Sequence, residues 1–284
     1  MTIENESNPA PTQTNAYDNP DKRDYLFEDF LEYAEWEGKA FKFDIDKVTV
    51  FNQKWTPACT MYGGIHLVNI LNLNEDRINW YPEREQINPA TPRNLFCAER
   101  GNFLSWDSIQ NVANWLKKKW YIEWYVTITS KQPIEKTIQQ VDIALSMWGI
   151  ATGSAFGDWA KIRKTGIYTD SDPKYFLGHA WDIVIKEKVW DYYKCMNSWG
   201  ENRWPYKGYF LIHKNDLNKI YSKLVYIDKN DKDLFKNFAE IQKVKEAINT
   251  LRVIYNTTEN KEMVKFLDQI QMGKNFSRIY WVQM

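Results

Sequence analysis

The sequence has few of the residues that build metal sites and disulfide frameworks: three cysteines, at 59, 97 and 195, and three histidines, at 66, 179 and 213. So sparse and odd a set of thiols cannot form the multi-bridge framework of a small secreted domain, so a reducing compartment and three free thiols are expected. No CxxC pair occurs, and cysteine and histidine nowhere share zinc-ligand spacing, so no metal or other cofactor is expected. An excess of one charge is also lacking. Lys and Arg number 37, as do Asp and Glu, which leaves no field that would hold nucleic acid or an anionic membrane. No apolar run is long enough to span a bilayer, and the polar stretch from Met1 to Pro20 has no apolar region of the kind a cleaved signal carries. The expected setting is therefore cytoplasmic or virus-associated. Aromatic residues are plentiful by contrast. The 14 Trp among them serve core and interface packing more often than sugar stacking.

Residues 1–20 are too poor in apolar groups to offset the entropy of ordering, and they read as an arm that is disordered or ordered by a partner. Apolar positions recur at helical spacing from Asp24 to Gly38, which predicts an amphipathic helix. Val48 to Phe51 alternates like a short strand, Cys59 to Leu73 is apolar enough for a buried helix that Cys59 would open, and Ser108 to Lys118 predicts another helix. The β-branched and aromatic stretches Tyr121–Thr129, Ile143–Trp148, Trp181–Ile185, Tyr192–Met196 and Tyr209–Ile212 predict strands. Beyond Lys229 an apolar stripe from Leu234 to Leu251, and a second from Met263 to Ile270 ended by Gly273, predict a helical hairpin whose apolar faces need covering. The domain reading is an arm plus helix at 1–40, a main domain at 41–229 and a helical extension at 230–284.

A thiol becomes a nucleophile when its pKa is lowered, and both a helix N-terminus and a neighbouring imidazolium do this. The imidazole needs a third group to orient it, for which an Asn amide suffices, and a developing oxyanion needs a donor such as a Gln amide. Cys59, His179, Asn197 and Gln53 are the candidates for these four jobs. Singly each is a weak signal, since a lone cysteine on an apolar helix is usually a core residue. His66 lies seven residues beyond Cys59, about 10 Å along a helix axis, too far to hydrogen-bond the thiol, and His213 at the end of a predicted strand reads as a surface or core residue.

The order in which the four occur carries more weight. Gln53 stands six residues before Cys59, Gly178-His179-Ala180 precedes a strand, and Asn197-Ser198-Trp199-Gly200 follows the next. This series resembles the papain-like cysteine peptidases over about residues 41–228. Lys164-Thr-Gly-Ile-Tyr168 and Gly208-Tyr209 extend the likeness, as does Cys97 to Trp106, which resembles the family's glycine-containing substrate-binding segment. The resemblance implies an α+β fold of two subdomains, a helical left half and a β-barrel-like right half, here with a C-terminal helical extension. It implies that Gln53 donates to the oxyanion, that Asn197 orients His179, and that Trp199 shields their hydrogen bond. It also implies that Gly101, Asn102, Gly178 and Trp199 line the substrate site.

Departures from the family pattern are concentrated at the nucleophile. The run Thr56-Pro57-Ala58-Cys59-Thr60 lacks the family's second cysteine and the Trp after the nucleophile, and Trp55 and Pro57 stand where glycines are usual. Cys97 is thereby left without its customary partner. The 40 residues before Phe41 are too few for the family's propeptide, which argues against a secreted zymogen. Three functional readings follow. The first is a thiol peptidase acting on a peptide or protein substrate. The others are a hydrolase of peptidoglycan peptides, and a structural or assembly protein that retains the fold and engages a protein partner through 1–40 and 230–284.

Overall fold

The longest apolar stretch of the sequence forms the central helix. In the computed structural model of the chain, α1 (Cys59–Ile78) begins at Cys59, and every residue from Cys59 to Leu71 is buried. A helix buried on all sides belongs to the core. The residues described are 45–54, 56–78, 80–101, 107–147, 150–153, 158–169, 179–186, 191–203, 206–220 and 222–227, with helical positions 243, 247, 250, 251, 253 and 254. The chain divides into two compact units, Met1–Asp231 and Lys232–Met284.

Glycines at 63 and 64 cost α1 about 1 kcal/mol each against alanine, and close packing explains their presence. A Cβ on Gly63 would lie 3.0 Å from Asp182 Oδ1, and one on Gly64 would lie 2.8 Å from Leu116 Cδ1. Gly64 thus admits α3 (Ile109–Lys118), whose buried Ile109, Val112, Ala113 and Leu116 recur at helical spacing, and whose first turn is capped by Ser108 Oγ accepting the Asn111 N–H. Each such aliphatic side chain contributes about 1.5–3 kcal/mol when fully buried. Between α1 and α3 lies α2 (Ala90–Arg100).

Six antiparallel strands form one sheet in the order β1-β6-β2-β3-β4-β5: β1 (Trp124–Thr127), β2 (Ile150–Gly153), β3 (Ala180–Lys186), β4 (Tyr192–Met196), β5 (Tyr209–His213) and β6 (Ser222–Ile227). The barrel-like half is thus an open sheet among the described residues, with β1 and β5 at its edges, and the architecture is α+β. Two further helices are α4 (Ile134–Met147) and α5 (Trp159–Thr165). In the register of β3 on β4, Asp182 faces Met196 and Ile183 faces Cys195.

Four stretches depart from the sequence reading. Ile143–Trp148 was expected as a strand, but Ile143–Met147 is the last part of α4, whose buried positions Thr137, Gln140, Val141, Ala144 and Leu145 follow helical spacing; two are polar, which hid the period. Val48–Phe51 is not a strand. Two of its backbone N–H groups go to side chains, Thr49 to Gln86 Oε1 at 2.8 Å and Phe51 to His66 Nε2 at 3.1 Å, and that of Val48 turns back to Ile45 O at 3.1 Å. The strand expected over Tyr121–Thr129 is only Trp124–Thr127. Strand β6 escaped notice because Lys223 interrupts its apolar run. This lysine is wholly buried, and Nζ donates to Ser130 Oγ, Leu217 O and Ile220 O at 2.5, 3.2 and 3.1 Å.

The helix expected at Asp24–Gly38, and most of the expected hairpin, lie outside the described residues. In the second unit Lys243, Ala247, Thr250, Leu251, Val253 and Ile254 are helical. Leu251, placed by the sequence on a covered stripe, is 42% exposed, as are Val253 and Ile254 at 65% and 50%.

Candidate active site

Three chain segments meet at the N-terminal end of α1. The first runs through Gln53. Its backbone N–H donates to Ser198 O at 2.7 Å, its Oε1 accepts the Ser198 hydroxyl, and its Nε2 donates to Thr56 O at 2.9 Å. Thr56 O is a carbonyl and can only accept, so the amide end that faces the Thr56 turn is Nε2, and Oε1 faces the Ser198 hydroxyl. Cys59 follows as the first residue of α1, and its thiol lies against the backbone N–H groups of Ala180, Thr60 and Cys59 itself. The third segment is the β3–β4 pair, with His179 immediately before β3 and Asn197 immediately after β4.

Asn197 Oδ1 accepts the Ser198 N–H at 2.6 Å and lies 2.8 Å from His179 Nε2. Because the Ser198 N–H requires an oxygen at that position, His179 must donate from Nε2. In the neutral ring the lone pair then sits on Nδ1, which is buried with no hydrogen-bond partner among the described residues. Nδ1 is the atom a base would use, and the thiol rests against Ala180, the next residue along the chain.

Aromatic rings wall off the imidazole. Trp199 stacks on His179 with centroids 4.6 Å apart, and Trp159 meets it edge-on at 5.0 Å. Sequence reasoning found Trp199 and missed Trp159, the first residue of α5, which the Asp158 cap places two turns before the Gly-Ile-Tyr segment. The only available signal was its position just upstream of Lys164-Thr-Gly-Ile-Tyr168.

Burial dominates the electrostatics. Cys59, His179, Asn197 and Gln53 are 3%, 1%, 0% and 1% exposed. Desolvation pushes the Cys59 thiol up to about 11, against the opposing pull of its three backbone N–H donors. Desolvation also takes His179 down to about 4, although the bond to Asn197 favours the charged ring. The sequence led to the expectation of a thiolate–imidazolium pair held by the helix N-terminus and the imidazole. Burial instead favours the neutral thiol and the neutral imidazole, because taking either charge out of water costs more than the nearby dipoles return.

Of the substrate-site candidates, Gly101 is the left-handed C-cap of α2 (φ 65°), exposed and with open space where a side chain would be. Asn102 and Gly178 lie outside the described residues, and Trp199 is half-buried against His179. Cys59, Cys97 and Cys195 are all free and buried. Among the described residues no group of three or more His, Cys, Asp or Glu could hold a metal ion, and no helix is long and apolar enough to cross a membrane.

No protein-family model and no curated protein matches the chain. Solved structures do. Xylellain, a cysteine protease from Xylella fastidiosa, is 13% identical with a TM-score of 0.57, over 77% of this chain and 96% of its own. A procathepsin B from Trypanosoma congolense is 10% identical with a TM-score of 0.53, over 76% of this chain and 86% of its own. At such identities the likeness speaks for architecture, and the α+β fold built around α1 and the β3–β4 pair is the papain-like cysteine protease fold.

Proposed function

We propose that the chain is a thiol-dependent peptidase that hydrolyses bonds in a peptide or protein substrate. The observation that carries this reading is the His179 Nε2–Asn197 Oδ1 bond of 2.8 Å, which leaves the proton-accepting Nδ1 without a hydrogen-bond partner among the described residues, one residue before Ala180, whose N–H meets the Cys59 thiol. In the reaction His179 Nδ1 takes the thiol proton as Sγ attacks the carbonyl carbon, and the imidazolium then returns the proton to the leaving amine. Water, activated by the same ring, hydrolyses the thioester and restores the thiol. Asn197 keeps the ring in one tautomer throughout, and the two tryptophans exclude water from that bond. Gln53 would serve the oxyanion through Nε2, which carries a second N–H besides the one given to Thr56 O. Residues 41–229 form the peptidase domain, and 1–40 and 230–284 are extensions available to a protein partner.

Burial of Cys59, 3% exposed with its thiol pushed up to about 11, favours a second reading, a protein that retains the fold without turnover. Mass-mapped labelling of the native full chain with a peptidyl epoxide separates the two. A peptidase is modified at Cys59, and His179→Ala suppresses that modification. An inert Cys59 in a chain that labels fully once denatured refutes the peptidase reading.

A further inference from the structure

Beneath the candidate couple, α1 and β3 enclose a second pair of polar groups. His66 and Asp182 are 0% and 1% exposed. His66 Nε2 accepts the Phe51 N–H at 3.1 Å, so the neutral ring carries its proton on Nδ1, which faces Asp182 Oδ2 at 3.9 Å. Neither Nδ1 nor either carboxyl oxygen of Asp182 has a hydrogen-bond partner among the described residues. The carboxyl occupies a notch that exists because residue 63 is glycine, with Oδ1 3.0 Å from where a Cβ would be. Phe51 stacks on the His66 ring at 5.9 Å, and Tyr62 meets it edge-on at 6.5 Å.

Leaving such groups in a core is costly. Burial takes His66 down to about 3 and raises Asp182 well above the usual carboxylate range, so two neutral groups, not an ion pair, face one another. Apolar residues of similar volume would often serve stability equally well or better. What apolar residues could not do is join these particular segments. Phe51 is two residues before Gln53, Gly63 and His66 continue the face of α1 that starts with Cys59, and Asp182 is three residues after His179. The Phe51–His66–Asp182 line therefore touches every segment that delivers a group to the site.

We infer that His66 and Asp182 are positioning residues for the candidate site: through Phe51 and the notch at Gly63 they hold the Gln53 segment, the first turns of α1 and the start of β3 in one register. The inference rests on the peptidase reading. It predicts that losing the pair impairs the chemistry of Cys59 without loosening the fold, because a small displacement between reacting groups is enough to slow them.

The test is the epoxide labelling rate at each cysteine of the full chain, read by mass mapping beside the melting temperature. His66→Leu and Asp182→Leu are expected to slow labelling at Cys59 about ten-fold or more. Cys195, wholly buried on the neighbouring strand, should stay protected, and the melting temperature should not fall. His66→Gln, which can still accept from Phe51 and donate toward Asp182, and Asp182→Asn should restore most of the rate, which a merely space-filling role would not require. Gly63→Ala, which displaces the carboxyl by a few tenths of an ångström, should act in the same direction and serves if a leucine variant does not fold. The inference is overturned if the leucine variants label Cys59 within about two-fold of the unsubstituted chain, if Cys59 and Cys195 change together, or if the amide variants fail to rescue. A Cys59 that does not label at all in the unsubstituted chain refutes the peptidase reading itself.

Discussion

Replacing either member of the buried pair should change how stability responds to acid, and the two replacements should act in opposite directions. Burial holds His66 and His179 at about 3 and about 4, below the ordinary 6.5. A depressed histidine contributes stability above 6.5 that is lost as pH falls toward the folded value, because the unfolded chain binds a proton that the native one refuses. Asp182 is raised from 3.8, so the native chain keeps a proton that the unfolded one has released, and its contribution is retained in acid and lost as pH rises through its folded value. Between about pH 5 and pH 6 the unfolded chain binds roughly one proton at each of these two histidines that the native chain refuses, while Asp182 opposes them by holding a proton that the unfolded chain has released. Stability should therefore fall on acidification, each histidine contributing about 1.4 kcal/mol for each pH unit and Asp182 offsetting part of that. His66→Leu removes one histidine and should make the slope shallower by about 1.4 kcal/mol per unit. Asp182→Asn removes the opposing group and should make the slope steeper. Urea unfolding at several pH values in that window, with the m-value checked for constancy, measures the slopes directly. An Asp182→Asn slope equal to that of the unsubstituted chain would mean that the native carboxyl is ionised. An unchanged slope in His66→Leu would mean that the native imidazole is charged.

Four other outcomes follow from the geometry. With a thiol pushed up to about 11, iodoacetamide labelling of native Cys59 should keep rising through the alkaline range, and a plateau near neutrality in a pH–rate series would show that the closed site is not the reacting one. Asn197→Ala should leave the melting temperature nearly unchanged while lowering kcat, and Gln53→Ala should cost about 2–4 kcal/mol of transition-state stabilisation; equal kcat/KM in the Gln53 variant would remove it from the oxyanion site. A chain ending at Lys229, two residues beyond the last residue of β6, should fold and label at Cys59 as the full chain does, checked by circular dichroism and mass mapping.

The candidate site was legible where chemistry restricts residue type. Few residues can serve as nucleophile, base or orienting amide, so Cys59, His179 and Asn197 stood out in their order along the chain, and Asn197 lies 2.8 Å from His179. The central helix was legible for a different reason, an apolar run too continuous for a surface element. Strand β6 and the second half of α4 were not, because Lys223, Thr137 and Gln140 are polar yet buried, and hydrophobic periodicity counts such residues as solvent-facing. What makes Lys223 tolerable is three oxygen acceptors from elsewhere in the chain, information that no local window contains. The upward pull of burial on the Cys59 thiol was not legible for a similar reason. Helix N-terminus and imidazole are both readable in sequence, whereas the desolvation that outweighs them depends on how completely the fold closes.

His66 shows the same gap at its sharpest. Its distance from Cys59 along the helix excluded it as the base, and that exclusion still holds. Yet seven residues on a helix is also two turns, which returns a side chain to the same face, and that face is packed against the strand that follows His179. A residue can be too far from the thiol to react with it and still be placed to decide where the thiol sits. The features that identify such a residue are a buried polar atom facing an unsatisfied partner and a glycine across the notch, here Gly63 3.0 Å from Asp182 Oδ1. None of them is a motif. In a chain whose candidate nucleophile segment departs so far from the pattern it resembles, with Thr60 after the cysteine and Pro57 two residues before it, whatever geometry the segment has must be set by other residues. The Phe51–His66–Asp182 line is the one set of contacts described that touches all three segments from within the core, which is why its removal should alter Cys59 before it alters the fold.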